Sequence, residues 1–311
     1  MDPQVQALLQ MMEAQSAATG APPMYELPAD VARQGAEVGF QAFNNGMPEI
    51  GSIVDRTIPG PAGEIPVKIF TPTGSAPFPL LVFLHGGGWV IGSPNTHAKL
   101  CAELAEGAGV VVMSVDYRLA PEHPAPAPLD DCVAAIRWAA EHGSEIGAAG
   151  GRFAVAGDSA GGNLAAAAAL RLRDEGGPVP GFLLLFYGAF TGDLDLPSVI
   201  ENGEGKILTR KAMEWFYMHY LSGGATTDDP LIAPIKGNLA GLPPAHLIVG
   251  SQDPLLDDSR LFAKALQDAG VPATLSIYED QVHVFMQLTA MLDGAKKAMT
   301  EATDTLKAAL A

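Results

Sequence analysis

From about residue 78 onward, short β-branched runs of strand length alternate with longer helical patterns, and nothing else constrains the fold so tightly. The runs at 80–84, 110–115, 153–156, 182–187, 246–249 and 274–278 carry few charges and show no polar face. A strand that is apolar on both sides must be covered on both sides. The alternation therefore predicts a mostly parallel sheet with helices on both faces, the helices lying near 96–106, 130–141, 160–175, 255–269 and 285–308. Ahead of them, 53–58 and 65–70 flank the turn Pro59-Gly60-Pro61-Ala62-Gly63 and predict an antiparallel hairpin. The sum is an eight-stranded α/β sheet.

Two regions break the alternation. Residues 1–48 read as two helices, 3–18 and 29–43, joined by Gly20-Ala21-Pro22-Pro23 and carrying Met11, Met12, Met24 and Met47. Residues 190–233 hold a loop and one helix, 209–221, rich in Met213, Trp215, Phe216, Tyr217 and Met218. Methionine and aromatic side chains make adaptable apolar walls around a site. They also pack as ordinary amphipathic helices on a core, and composition does not separate the two.

Apolar residues make up 48% of the chain and charged residues 17%, which suits a compact body. The formal charge of −17, with no clustered basic patch, excludes nucleic acid and acidic membrane surfaces as partners and suits a neutral substrate. Cys101 and Cys132 are the only cysteines, too few for a disulfide framework or a zinc site; two free, buried thiols are expected. The first basic residue is Arg33, so the basic start of a signal peptide is missing. No uncharged apolar stretch approaches the roughly 18 residues of a membrane span. A cytoplasmic protein without a membrane anchor is the expectation. The seven histidines show no H-E-x-x-H spacing, and neither a phosphate-cradling loop nor a dinucleotide fingerprint occurs. No metal and no cofactor is expected.

Chemistry concentrates at a few points. Gly157-Asp158-Ser159-Ala160-Gly161 joins the strand 153–156 to the Ala-rich helix that follows, the context a G-x-S-x-G nucleophile elbow requires. Small residues two positions either side of the serine let strand and helix approach while the hydroxyl stands clear. His85-Gly86-Gly87-Gly88-Trp89 follows the strand 80–84. Three consecutive glycines pack nothing and cost conformational entropy, but they present unhindered backbone N–H groups in the way a tetrahedral oxyanion needs.

The partners of Ser159 follow by elimination. The order along such a chain is nucleophile, acid, histidine. Of the histidines after Ser159, His219 falls inside the aromatic helix and His246 begins an apolar strand; His283 sits in a loop directly after a strand. The acid is then Asp253, in the turn after the strand 246–249, at the strand edge where sites in parallel sheets gather. Asp257 and Asp258 are weaker candidates because they fall inside the next helix, and an Asx-turn is the competing structural role for Asp253.

With these motifs in place the chain resembles the bacterial hormone-sensitive-lipase-like esterases of the α/β-hydrolase fold. His-Gly-Gly-Gly at 85–88 stands well upstream of the Gly-Asp-Ser-Ala-Gly elbow, and Tyr117-Arg118-Leu119-Ala120-Pro121-Glu122 lies between them. Asp253-Pro254-Leu255 and His283-Val284-Phe285 complete the pattern, which extends over roughly residues 50–300. The resemblance implies oxyanion donors at the backbone of Gly87, Gly88 and Ala160. It implies a helical cap from 1–48 and 190–225 over a catalytic domain of 49–189 and 226–311. It also implies that 117–122 braces the oxyanion loop, with Arg118 and Glu122 paired to each other. Such esterases often dimerise through the last strand edge, here 274–278.

The activity expected is hydrolysis of small-molecule carboxylic esters, with short to medium acyl chains favoured by the apolar, Met-rich cap segments. Ser159 would attack, His283 would take its proton, and Asp253 would orient the imidazole. An amidase would use the same residues. A non-enzymatic receptor on this fold would have lost the histidine, and a dehalogenase or epoxide hydrolase would carry Asp in place of Ser159.

Overall fold

The computed structural model describes residues 1–311. Eight strands form one sheet: β1 Ser52–Gly60, β2 Gly63–Thr71, β3 Phe78–Leu84, β4 Val111–Val115, β5 Ala148–Asp158, β6 Phe182–Phe186, β7 Ala245–Gly250 and β8 Ala273–Tyr278. Their order is β1-β2-β4-β3-β5-β6-β7-β8. β2 runs antiparallel to both β1 and β4, and every pair from β4 to β8 is parallel. The predicted hairpin and the six charge-free runs all take their expected places.

Side-chain alternation splits the core in two. Leu80, Val82 and Leu84 of β3 join Val155 of β5 and Leu183 and Leu185 of β6 on one face, while Leu81, Phe83, Ala154, Ala156 and Leu184 point to the other. The first face is covered by α4 (Ala127–His142), α5 (Ala160–Asp174) and α8 (Leu256–Asp268); the second by α3 (Ala98–Ala108) and α9 (Asp293–Leu310). Along α5 the run Ala165–Ala169 is fully buried, because short side chains let the helix lie close on the central strands. Cys101 and Cys132 are free and buried, as expected.

Two boundaries and one short helix differ from expectation, each for a local reason. β5 begins at Ala148 rather than near 153, through a stretch of alanine and glycine that bulges between its pairings with Phe78 and Leu80 of β3. Low strand propensity hid that extension. α9 begins at Asp293 rather than near 285, since Val284 adopts φ 61 and the chain makes a 3-10 turn at Phe285–Gln287 first. A six-residue helix, α6 (Pro197–Asn202), escaped notice because it is too short to show a period. The remaining helices, α1 (Pro3–Thr19), α2 (Ala29–Gln41) and α7 (Arg210–Tyr220), lie where the sequence predicts them.

Just past β4, the half-buried Asp116 carries a stability consequence. Burial, and after it the charge of Glu37, push its carboxyl up from 3.8 to about 6. The folded chain therefore holds this proton when the unfolded chain has lost it, so stability falls as pH rises from about 4 to about 6 and stays lower above. Asp116→Asn should raise the melting temperature by about 2 °C at pH 7.5 and leave it unchanged near pH 3.5. Thermal melts of both proteins at the two pH values check this, and an equal shift at both would refute it.

Candidate active site

The loops that carry the sequence motifs all leave the carboxyl ends of parallel strands. His85 follows β3, Ser159 follows β5, Asp253 follows β7 and His283 follows β8, so residues far apart in sequence meet above one sheet edge. Ser159 sits at the turn between β5 and α5 with φ 54 and ψ −119, a backbone state that few side chains adopt. The crossing is tight. A Cβ on Gly157 would stand 2.3 Å from the Gly161 carbonyl oxygen, and one on Gly161 would stand 1.9 Å from that of Leu84.

His283 Nε2 lies 3.0 Å from Ser159 Oγ, and His283 Nδ1 lies 2.8 Å from Asp253 Oδ2. Asp253 is fully buried. Its other oxygen accepts the Leu255 N–H at 2.8 Å, so the Asx-turn and the histidine contact coexist on one carboxylate. Behind the imidazole, the buried ring of Tyr187 meets His283 edge-on at 4.8 Å between centroids. The alternative acids point elsewhere: Asp257 accepts from the Ser198 backbone, and Asp258 accepts from the backbone N–H groups of Phe190 and Thr191. Burial raises the Asp258 carboxyl to about 7. Of the other two histidines, His219 faces Trp215 on α7 and His246 bonds Thr305 and Ser276.

Beside the serine runs the glycine loop. The amides of Gly87, Gly88 and Ala160 donate to no acceptor within the protein, while the loop is closed by Val90 and Ile91 N–H groups on the Gly87 carbonyl. Gly88 has φ 57, and a Cβ there would stand 2.1 Å from the Phe216 ring, so that ring rests directly on the loop. Tyr117 Oη donates to the His85 carbonyl at 2.6 Å and its ring stacks on the His85 ring at 4.3 Å. Burial and the neighbouring His97 lower His85 to about 3, leaving it neutral.

One expected pairing is corrected. Arg118 does not meet Glu122; its guanidinium forks onto Asp131 at 2.8 Å through both Nε and Nη2. Glu122 instead receives Arg33 of α2, Nη2 to Oε2 at 2.8 Å. A four-residue spacing brings side chains together on a helix, but 118–122 is a turn, and the two diverge. Arg33 also donates to the carbonyls of Val90 (2.9 Å) and Ala120 (3.1 Å). Farther along, Glu37 accepts from Ser93 Oγ at 2.9 Å, and Asn44 bonds Asn95 and Lys99. α2 and the short turn after it are thus fastened along the loop that follows the glycines.

A cavity of about 410 Å³ opens onto Ser159. Met12, Met24 and Phe40 come to its wall from the N-terminal segment, and Leu208, Met213 and Phe216 from the segment between β6 and β7. Met11 and Met218, expected with them, are exposed instead. Ser159, His283, His97 and Gln287 are among the polar residues of its wall. Sequence reasoning missed His97, Gln287, Asp131 and Arg33: none lies in a motif, and their roles come from neighbours distant in the chain. No group of side chains is arranged to hold a metal ion, and no helix is long and apolar enough to cross a membrane.

Residues 81–287 match a family model described as the α/β-hydrolase fold. The carboxylic ester hydrolase LipN of Mycobacterium tuberculosis is 42% identical over 265 residues, covering 83% of this chain and 70% of that one. An ethyl acetate hydrolase of Pseudomonas putida is 33% identical across 99% of this chain and 98% of its own. Among solved structures, the hyperthermophilic esterase of Pyrobaculum calidifontis superposes with a TM-score of 0.94 at 34% identity, covering 100% of this chain and 99% of that one. These matches span the sheet, the elbow and every loop that bears the site, and the chain belongs to the hormone-sensitive-lipase-like carboxylic ester hydrolases of the α/β-hydrolase fold.

Proposed function

We propose that this ester hydrolase is a serine enzyme that works through an acyl-enzyme, with Ser159 as nucleophile, His283 as general base and Asp253 as the orienting acid. The observation that carries the reading is the unbroken contact series from Asp253 Oδ2 through the imidazole to Ser159 Oγ, at 2.8 and 3.0 Å. His283 Nε2 takes the hydroxyl proton as Oγ attacks the ester carbonyl, and Asp253 holds the tautomer that leaves Nε2 free to accept it. The amides of Gly87, Gly88 and Ala160, free of other partners, receive the oxyanion. The same proton then goes to the departing alcohol, and a water molecule repeats the attack to release the acid.

Segments 1–48 and 190–225 act as a cap over the site, since both supply apolar wall to the cavity. A cavity near the lower end of the range for small-molecule sites favours short to medium acyl chains. The Pseudomonas relative, named for ethyl acetate, fits that preference. We assign the cytoplasm as location, because two buried, unpaired cysteines suit a reducing compartment. The unpaired edge of β8 is the surface through which a homodimer would form.

Two measurements test the reading. A p-nitrophenyl phosphonate should inactivate the enzyme one-to-one, releasing one equivalent of p-nitrophenolate and leaving the phosphonyl group on the peptide that holds Ser159; label on any other residue removes the assignment. In a p-nitrophenyl ester series, kcat/KM should peak between acetate and octanoate and fall at least tenfold by palmitate. Fastest cleavage of palmitate would overturn the compact-pocket reading alone.

A further inference from the structure

Asp158, the residue before the nucleophile, is fully buried, and no Arg or Lys pairs with it. Burial alone would raise its carboxyl, yet His97 and the Gly86 N–H outweigh burial and hold it below the usual range. One oxygen, Oδ1, accepts the Gly86 N–H at 2.7 Å. The loop is seated hard against the other: a Cβ on Gly86 would stand 2.6 Å from Oδ2. The carboxylate thus grips the first glycine of the run whose next two amides are free to meet an oxyanion.

What holds the carboxylate is a histidine at the start of α3. His97 is 3% exposed, and its Nε2 lies 3.2 Å from Oδ1 and 3.4 Å from Oδ2, astride the carboxylate. An unprotonated nitrogen there would face two carboxylate oxygens lone pair to lone pair, so Nε2 bears the hydrogen and donates. Nδ1 is fastened at 2.8 Å to Thr96 Oγ1 and 3.3 Å to the Ser93 carbonyl; Gln287 Nε2 lies 2.8 Å from His97 Nε2, and a hydrogen-bearing Nε2 is accommodated there with the amide turned to present its otherwise unpartnered oxygen as acceptor. The ring is therefore fixed on both sides. His85, whose ring centroid is 5.6 Å away, is turned onto its own Gly86 carbonyl through Nδ1 and does not compete for the carboxylate.

We propose that His97 is a positioning residue for ester hydrolysis: it donates from Nε2 to Asp158, which in turn fixes Gly86 and aims the Gly87 and Gly88 amides at the developing oxyanion. His97 touches neither nucleophile nor base; it acts two hydrogen bonds away. The proposal rests on the serine-esterase reading above, because it concerns the oxyanion cradle of that mechanism. Its signature is a defect in the transition state that spares ground-state binding. Losing one oxyanion donor typically costs about 10²- to 10³-fold, and loosening two that remain present should cost somewhat less.

The test uses the full-length protein, p-nitrophenyl acetate, and an aryl trifluoromethyl ketone, whose adduct with a serine carries an oxyanion. His97→Ala should lower kcat about 10- to 100-fold with KM within about threefold. Inhibition by the ketone should weaken by the same factor as kcat/KM, while inhibition by the product acid stays put. Asp158→Asn should give a similar loss, and the double variant should be little worse than the poorer single one, as expected for two links of one chain. His97→Gln, which keeps an N–H donor near the carboxylate, should recover part of the loss. Unchanged kcat and ketone affinity in His97→Ala, or losses that simply multiply in the double variant, overturn the proposal. If His97→Ala does not fold, His97→Gln and Asp158→Asn decide it, and wild-type kcat in both is the refuting result. Failure of the underlying serine mechanism would look different, because the wild type itself would then ignore the ketone.

Discussion

Replacing Ser159 with alanine should reduce turnover of p-nitrophenyl acetate by about 10⁶-fold while leaving the fold intact. In the proposed mechanism every other group of the site makes that hydroxyl reactive or receives the charge it creates. With Oγ gone, His283 has no proton to take, and the cradle amides face no tetrahedral centre. The variant would keep the turn, since alanine tolerates φ 54 no worse than serine, and the bond from the residue's own N–H to the Phe186 carbonyl (2.9 Å) survives. Thermal melts should therefore move by no more than about 2 °C. Steady-state rates with an active-site titration check the loss, and a variant retaining more than a hundredth of wild-type kcat would remove Ser159 from its role.

Changing Asp253 to asparagine should cost about 10⁴-fold in kcat, through the imidazole rather than through any contact with substrate. Asp253 Oδ2 accepts from His283 Nδ1, so the second ring nitrogen is the one that faces Ser159 without a proton. An asparagine that kept its oxygen on the Leu255 N–H would turn its NH₂ toward Nδ1. The imidazole would answer by moving its proton to Nε2, which could then no longer accept one from the serine. KM should change little, and the burial of this side chain keeps water from substituting for the lost acceptor. Presteady-state acylation rates check the prediction; a loss under tenfold would reassign the orienting acid.

The strands were legible because a parallel sheet covered on both faces leaves its strands no polar side, and such runs stand out against helices with period 3.6. The site was legible for another reason. An elbow, a glycine run, an acid after one strand and a histidine after the next are each tied to the end of a strand, so the sheet itself brings them together. What stayed hidden depends on three-dimensional neighbours. Arg118 looked toward Glu122 in sequence, yet its partner Asp131 comes from α4 and that of Glu122 from α2. His97 bears no motif, and its contact with Asp158 comes only from the seating of Asp158 beneath the loop. The late start of α9 reflects the left-handed Val284 next to His283, a local conformation that hydropathy does not encode.

Fastening α2 along the glycine loop also bears on how such enzymes can be recombined. Arg33, Glu37 and Asn44 reach carbonyls and side chains of 90–95 and Glu122, so the front of the chain and the glycine-loop side of the site form one mechanical unit. A chimera that grafts another relative's first 48 residues onto this body inherits a mismatched seam unless the receiving loop is exchanged with it. The natural crossover point lies beyond residue 122, not at the first strand.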